Sequence, residues 1–245
     1  MMIDLTNGLP ELSNAKEGFG YNDKHTSEYD MRLVERNVPT PTEKRITENL
    51  PFVQGEYDFS MILGGRVYNN RPLTFKFELL NRYYTNRKSI QTSIENWLMN
   101  SGYAPLYDDH AEGYRYIAKC IGVNVSDAYG GLTIDIEFDA YPFKISEREE
   151  GNDLWDPFNF ELDVAQVTEF AVNGTEEITL YNVGSNSLQP TIKTTAPMTI
   201  IKGGRTYNVP QGQTKYHEFT LNVGENKLAI QGNGTIEFLF CKELI

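Results

Sequence analysis

The chain has 245 residues, 40% of them hydrophobic and 12% aromatic, with a formal net charge of −12 and a pI near 4.8. That length predicts two domains with real cores rather than one or three. The charge argues against a protein that grips nucleic acid through its phosphates, because such affinity comes from clustered Lys and Arg, and no apolar run approaches the roughly 20 residues of a membrane helix.

The first residues, Met-Met-Ile-Asp-Leu, lack a basic stretch followed by a long apolar one, so the sequence predicts a protein that stays soluble and has no membrane partner. Residues 1–5 read as a short strand and Asn7-Gly8 as a turn. Residues 13–28 are rich in Gly, Asn, Asp, Lys and Ser with isolated aromatics at Phe19 and Tyr21, the texture of a loop or arm. Strands are expected at residues 29–36 and 44–53, separated by Pro39-Thr-Pro-Thr42, since proline has no donor for a central strand. Residues 54–58 are turn-like and 59–63 a short strand.

The stretch from Arg71 to Phe138 holds the strongest signal. Leu73, Phe75, Phe77 and Leu79 alternate with Thr74, Lys76 and Glu78, a half-buried strand. From Arg87 onward Ile90, Ile94, Trp97 and Leu98 recur at three- and four-residue spacing on one helical face, with Asn86 as the expected cap and Gly102 as the stop. A strand at 104–107, a hairpin loop at 108–113 and a strand at 114–123 follow. Leu132, Ile134, Ile136 and Phe138 then alternate with polar residues after the Gly130-Gly131 turn. A helix laid across these strands makes Trp97, Ile94, Ile90, Phe75 and Phe77 the expected core.

A charged, glycine-containing run at 146–153 marks the expected boundary, with domains at 1–148 and 149–245. Beyond it, short β-prone runs at 158–163, 167–172, 178–183, 190–194, 198–202, 205–209, 217–222, 227–231 and 235–241 are separated by Asn173-Gly174, Gly203-Gly204, Gly212, Gly224 and Asn233-Gly234. Many short strands with such turns predict a β-sandwich. The fold class is therefore mainly β (α+β): an N-terminal β domain with one packed helix, followed by a C-terminal sandwich.

Chemistry needs a nucleophile with its base, a carboxylate pair or a metal cluster. His25 lies in the polar arm, His110 in the hairpin loop and His217 on an expected strand, none with a second histidine at ligand spacing. Asp108, Asp109, His110 and Glu112 form one acidic cluster, but without the spacing and internal glycine of a calcium loop they read as a solvated hairpin tip. Cys120 and Cys241 read as two buried free thiols rather than a disulfide or zinc site. Asn173-Gly-Thr and Asn233-Gly-Thr match a glycosylation pattern but read as β-turns. No catalytic, cofactor or metal site is expected. Trp155, Tyr181, Tyr207, Tyr216 and Phe219 could line a sugar platform, although core or interface is their plainer role. Tyr83 and Tyr84, with Phe19 and Tyr21 of the arm, are candidates for exposed anchors in an assembly.

The order of these features resembles a known family. The arm ends in Ser27-Glu-Tyr-Asp-Met-Arg-Leu-Val34. Gln54-Gly-Glu-Tyr-Asp58, Tyr68-Asn-Asn-Arg71 with the Leu-Thr-Phe-Lys-Phe strand, Asn96-Trp-Leu98, and Leu106-Tyr-Asp-Asp109 leading into Tyr114-Arg-Tyr-Ile-Ala-Lys119 follow in turn. These are similar to the N-terminal ring domain of the distal tail proteins of long-tailed, non-contractile bacteriophages. Leu180-Tyr-Asn-Val-Gly184, Gln189-Pro-Thr-Ile192, Leu221-Asn-Val-Gly-Glu-Asn226 and Gly234-Thr-Ile-Glu-Phe238 resemble the galectin-like sandwich of the same proteins.

The resemblance implies a non-enzymatic virion protein, made in the bacterial host cytoplasm and built into the tail. It implies a homo-hexameric ring that joins the tail-tube protein to the tail-tip protein and to receptor-binding or baseplate proteins. DNA would pass through the central channel without specific binding, which the acidic balance suits because like charge repels phosphate. The alternative expectation is a carbohydrate-binding module that attaches the particle to cell-wall sugars.

Overall fold

The structure, a computed structural model, describes residues 17–62, 64–79, 83–128, 131–151 and 164–245. The expected strands at 1–5 and 158–163, the Asn7-Gly8 turn, Gly130 and Trp155 lie outside those residues. The fold is mainly β with one α-helix among the described residues. The chain divides into two compact units, Met1–Glu112 with Tyr116–Pro142, and Gly113–Arg115 with Phe143–Ile245.

The first unit contains β1 (Phe19–Tyr21), β2 (Lys24–His25), a 3-10 turn (Thr26–Tyr29), β3 (Arg32–Asn37), β4 (Thr47–Glu48), β5 (Tyr57–Asp58), β6 (Arg71–Leu79), α1 (Tyr84–Met99), β7 (Ala104–Asp108), β8 (Tyr114–Ala128) and β9 (Gly131–Ala140). Its antiparallel sheet runs β2-β1-β7-β8-β9-β6-β3. In β6 and β9, Phe75 faces Ile136 and Phe77 faces Ile134. The period of two therefore sends all four side chains to one buried face. Helix α1 covers that face with Ile94, Trp97 and Leu98, while Ile90 packs half-buried against it.

The helix begins earlier than its sequence suggests. Tyr83, not Asn86, is its N-cap, with extended backbone and no side-chain capping bond; the amides of Asn86 and Arg87 donate to the Tyr83 carbonyl. It stops at Asn100 rather than Gly102.

Two further expectations fail in this unit. The arm is not a loop: β1 pairs with β7, and Phe19 and Tyr21 are buried in the core rather than exposed. Phe19 lies with ring centroids 4.7 Å from Phe75, 5.3 Å from Phe138 and 5.9 Å from Trp97. Phe-Gly-Tyr is a correct period-two strand, but at three residues it is too short to stand out from a polar segment. Gly18 is needed just before it, because a Cβ there would meet Thr26 Oγ1 at 1.8 Å. The second failure is the strand expected at 44–53. Only Thr47–Glu48 pairs, with Tyr57–Asp58 of the segment read as a turn, and residues 59–62 of the strand expected at 59–63 are not strand, so the described residues of 42–69 form one irregular hairpin.

The second unit contains β10 (Lys144–Ser146), β11 (Glu169–Asn182), β12 (Thr191–Thr194), β13 (Met198–Lys202), β14 (Arg205–Val209), β15 (Gly212–Lys215), β16 (Gly224–Leu239) and β17 (Glu243–Leu244). The two Asn-Gly pairs read as turns sit instead inside two long strands, β11 and β16, which pair from Glu169↔Glu237 to Asn182↔Gly224 with Asn173 opposite Asn233. Gly174, Gly232 and Gly234 adopt positive φ there, and the pairing runs through them without a break in register.

On its other edge, residues 229–231 of β16 pair with β13 and residues 236–239 with β12. The ribbon thus feeds two strand sets, β13-β14 and β12-β15, whose buried side chains form one core. Phe219 joins them, stacking on Phe238 at 6.3 Å and meeting Tyr207 edge-on at 5.2 Å. Residues 217–222 do not form the expected strand. Only Leu221 bridges to Leu188, and Gly212, expected only as a break between strands, opens β15, which pairs with β12.

Candidate interaction surfaces

The acidic cluster of the β7–β8 loop does structural work. Asp108 is buried and its Oδ1 lies 2.9 Å from Arg36 Nε. Burial pushes its carboxyl above the ordinary value, opposed by the His110 amide at 3.2 Å and the Arg36 charge. Asp109 accepts from the Gly18 amide at 2.8 Å and lies 3.2 Å from His25 Nε2. The loop therefore clasps the incoming strand β1 and its neighbour β2.

One constellation here leaves no trace in the sequence, because Asp109 stands 84 positions from His25: Ser27 Oγ, His25 Nδ1 at 2.7 Å, and Asp109 beyond His25 Nε2. The order is that of a nucleophile, base and orienting acid. The Nδ1 lone pair, however, also receives the Ser27 amide at 3.2 Å, and the Glu28 carboxylate accepts from the His25 amide at 3.0 Å. This is a capping box that fixes the turn at Thr26–Tyr29. Among the described residues no group of three His, Cys, Asp or Glu is placed to hold a metal ion.

The buried polar groups are likewise tied to backbone. Arg71 donates from Nε to the Pro39 carbonyl and from a terminal nitrogen to the Pro142 carbonyl, both at 3.0 Å, with its guanidinium 5.2 Å from the Tyr116 ring centroid. In the second unit, buried Asn182 donates to the carbonyls of Asn186 (2.8 Å) and Leu221 (3.1 Å) and accepts from the Gly184 amide. Buried Asn226 accepts from the Asn222 amide at 2.9 Å and from Lys202 Nζ at 2.8 Å. These asparagines give the two Asn-Val-Gly segments a structural role: each amide side chain replaces water for loop backbone that burial has cut off.

The aromatic set considered for a sugar platform is dispersed. Phe219 is core. Tyr207 and Tyr216 pack against that core and donate their hydroxyls to the carbonyls of Glu218 and Asn208, while Tyr181 is exposed on β11. Cys120 is buried, with its thiol pushed up to about 11 by burial. Cys241 is half-buried rather than fully buried and is also raised.

Tyr83 and Tyr84 stand 75% and 62% exposed at the start of α1. The larger apolar surface is one the sequence reading treated as strand and turn. It is the 42–69 hairpin, where Phe52 is fully exposed and Ile62 is 75% exposed.

What the geometry defines is a mainly β protein of two compact units, whose polar clusters described above secure backbone and which carries nine of its twenty exposed large apolar side chains, among the described residues, on one hairpin. No family model matches the chain, and no curated protein matches it. Among solved structures it is similar to the Dit protein (gp 19.1) of SPP1, described as a paradigm of the hub adsorption apparatus of phages that infect Gram-positive hosts. The TM-score is 0.65 at 13% identity, covering 93% of this chain and 98% of that one. Chains of the phage P2 baseplate in its activated conformation, with Ca or with Sr, align at a TM-score of 0.44 and 12% identity. They cover 92% and 91% of this chain and 95% and 94% of theirs. The likeness to the SPP1 chain shows a shared fold over nearly the whole length of both.

Proposed function

We propose that this protein is a structural hub of a phage tail, acting as a distal tail protein rather than as an enzyme. Six copies form a ring that joins the tail tube to the tail tip, the baseplate and the receptor-binding parts. The first unit forms the ring around a channel for DNA. The second, a galectin-like sandwich, is the platform on which neighbouring proteins dock.

The observation that carries this reading is the full-length match to a chain described as a hub, with both units matched in one alignment. The polar clusters support it, because each is spent on fold rather than on a reacting group. The net charge of −12 suits a wall that does not retain DNA. The test is electron microscopy of the purified full chain, alone and with the tail-tube and tail-tip proteins. Closed rings are expected. Turnover of a substrate, or absence of rings under all these conditions, would overturn the reading.

A further inference from the structure

We propose that the outer edge of β11, at residues 175–179, is a docking site for an extended, Lys- or Arg-bearing segment of another tail protein, which adds to the second unit as one more strand. The inference deepens the docking role proposed above and rests on it for the source of that segment.

Strand β11 pairs with β16 along its whole length and with no other strand among the described residues. At Tyr181 the Gln166 side chain stands in for a neighbouring strand. Its Nε2–H donates to the Tyr181 carbonyl at 2.8 Å, and its Oε1 accepts from the Tyr181 amide at 2.9 Å. The backbone of Tyr181 therefore points away from β16. In an antiparallel pair that direction recurs at every second residue, so Thr179, Glu177 and Thr175 turn their N–H and C=O groups the same way, and no described residue bonds to them. The edge strand β14 is guarded by contrast, because the Tyr216 hydroxyl donates to its Asn208 carbonyl. An open edge is a template for strand addition, in which main-chain bonds supply affinity and alternate side chains supply specificity.

Charge selects the occupant. Ile178 and Leu180 belong to the core, whereas Thr175, Glu176, Glu177 and Tyr181 are exposed. The lysines nearest in the sheet are spent on other carboxylates, Lys227 on Glu225 at 3.6 Å and Lys193 on Glu237 at 3.0 Å. Glu176 and Glu177 thus leave the edge with negative charge that the described residues do not balance. Directly opposed side chains of paired strands lie about 4.5–5.5 Å apart, where opposite charges attract and like charges destabilise. A Lys or Arg opposite Glu177 answers that charge. A second copy does not: antiparallel pairing of two β11 edges about Glu177 sets that carboxylate against itself, and each copy carries −12.

The experiment titrates the purified full-length chain with the tail-tip protein and with the receptor-binding protein of the same particle, each in turn. Hydrogen exchange resolved to single amides follows β11, and thermal melting reports the fold. Glu177→Pro removes an outward N–H while sparing the ladder to β16, Glu177→Lys reverses the charge and leaves the backbone unchanged, and Thr206→Pro on β14 is the control. On binding, the amides of Thr175, Glu177 and Thr179 are expected to gain protection, while those of Glu176 and Ile178, which face β16, change little. Both Glu177 variants should weaken binding by roughly tenfold or more, with the control unchanged; if Glu177→Pro melts early, Glu177→Lys alone decides. Binding of wild type and Glu177→Lys alike overturns the cationic occupant. Amides already protected in the lone chain, or protected when only copies of the chain meet, give the edge a different occupant and overturn it too. If neither protein binds although rings form, the edge proposal falls and the hub reading stands; neither binding nor rings removes both.

Discussion

The indole Nε1–H of Trp97 donates to the backbone carbonyl of Tyr21 at 2.7 Å. One bond thus ties the only α-helix among the described residues to the first strand. Trp97 also stacks on Tyr29 at 5.2 Å. Its side chain therefore fills volume and satisfies a buried acceptor together.

The two contributions are separable. Trp97→Ala is expected to cost about 3–5 kcal/mol of stability, through the cavity it leaves. Trp97→Phe keeps much of the packing and is expected to cost about 1–3 kcal/mol for the unpaired Tyr21 carbonyl and lost volume. Urea unfolding followed by circular dichroism measures both. Equal losses for the two variants would show that packing contributes nothing beyond the bond.

Gly232 lies inside the β11–β16 ribbon opposite Gly174, at φ +150°, and a Cβ there would meet Met198 Cγ at 2.8 Å. Gly232→Ala is expected to destabilise by about 2–4 kcal/mol, from backbone strain and overpacking together. Adding Met198→Ala to the Gly232→Ala variant should relieve the overpacking but not the strain. A double-mutant cycle by thermal melting is expected to give a favourable coupling between the two sites.

The first-unit core was legible because Leu73–Leu79 and Leu132–Phe138 are long enough for a period of two to stand clear, and 94, 97 and 98 for a helical one. Phe19-Gly-Tyr21 was not, since three residues give only two repeats and the surrounding Asn, Asp and Lys belong to tight turns. Asn173-Gly174 and Asn233-Gly234 misled for a different reason. Asn-Gly marks positive φ, and positive φ serves a bend inside a paired strand as well as a hairpin turn. Pairing across 60 positions, which decides between the two, leaves no local trace. The polar networks were invisible likewise, because Asn182 and Asn226 look like turn residues until burial is known. Tyr83 and Tyr84 were read as exposed, and exposed they are. The 42–69 hairpin was hidden because its apolar residues at 44–53 and 59–63 read as strand.

Thiol reactivity gives a third test. With its pKa near 11, Cys120 holds roughly one part in a thousand as thiolate at pH 8, against about a quarter for a free thiol near 8.5. Burial raises Cys241 as well. Under native conditions a thiol reagent is expected to react far more slowly than with the denatured chain, which should release two equivalents. Fast native reaction of Cys120 would contradict its burial.

Asp108 supplies a pH dependence. Burial raises its folded pKa above the unfolded value, so between those two values the folded state binds more protons than the unfolded one. Stability from this group therefore falls as pH rises from the ordinary carboxylate range through the raised value. Asp108→Asn, which is neutral throughout, should flatten that decline relative to wild type. Denaturant titrations from pH 4 to pH 7 compare the slopes; a steeper decline in the variant would reverse the assigned direction.

Because β16 pairs with both strand sets of the second unit and β11 pairs with β16 along its length, neither set can find its alignment alone. A slip of one residue anywhere along the ribbon would turn the side chains of both sets inside out at once. The contacts that prevent it join positions some 40 to 70 residues apart, from Asn182↔Gly224 to Glu169↔Glu237. Such distant pairings close slowly, so this unit is expected to renature in milliseconds to seconds, in a single all-or-none phase.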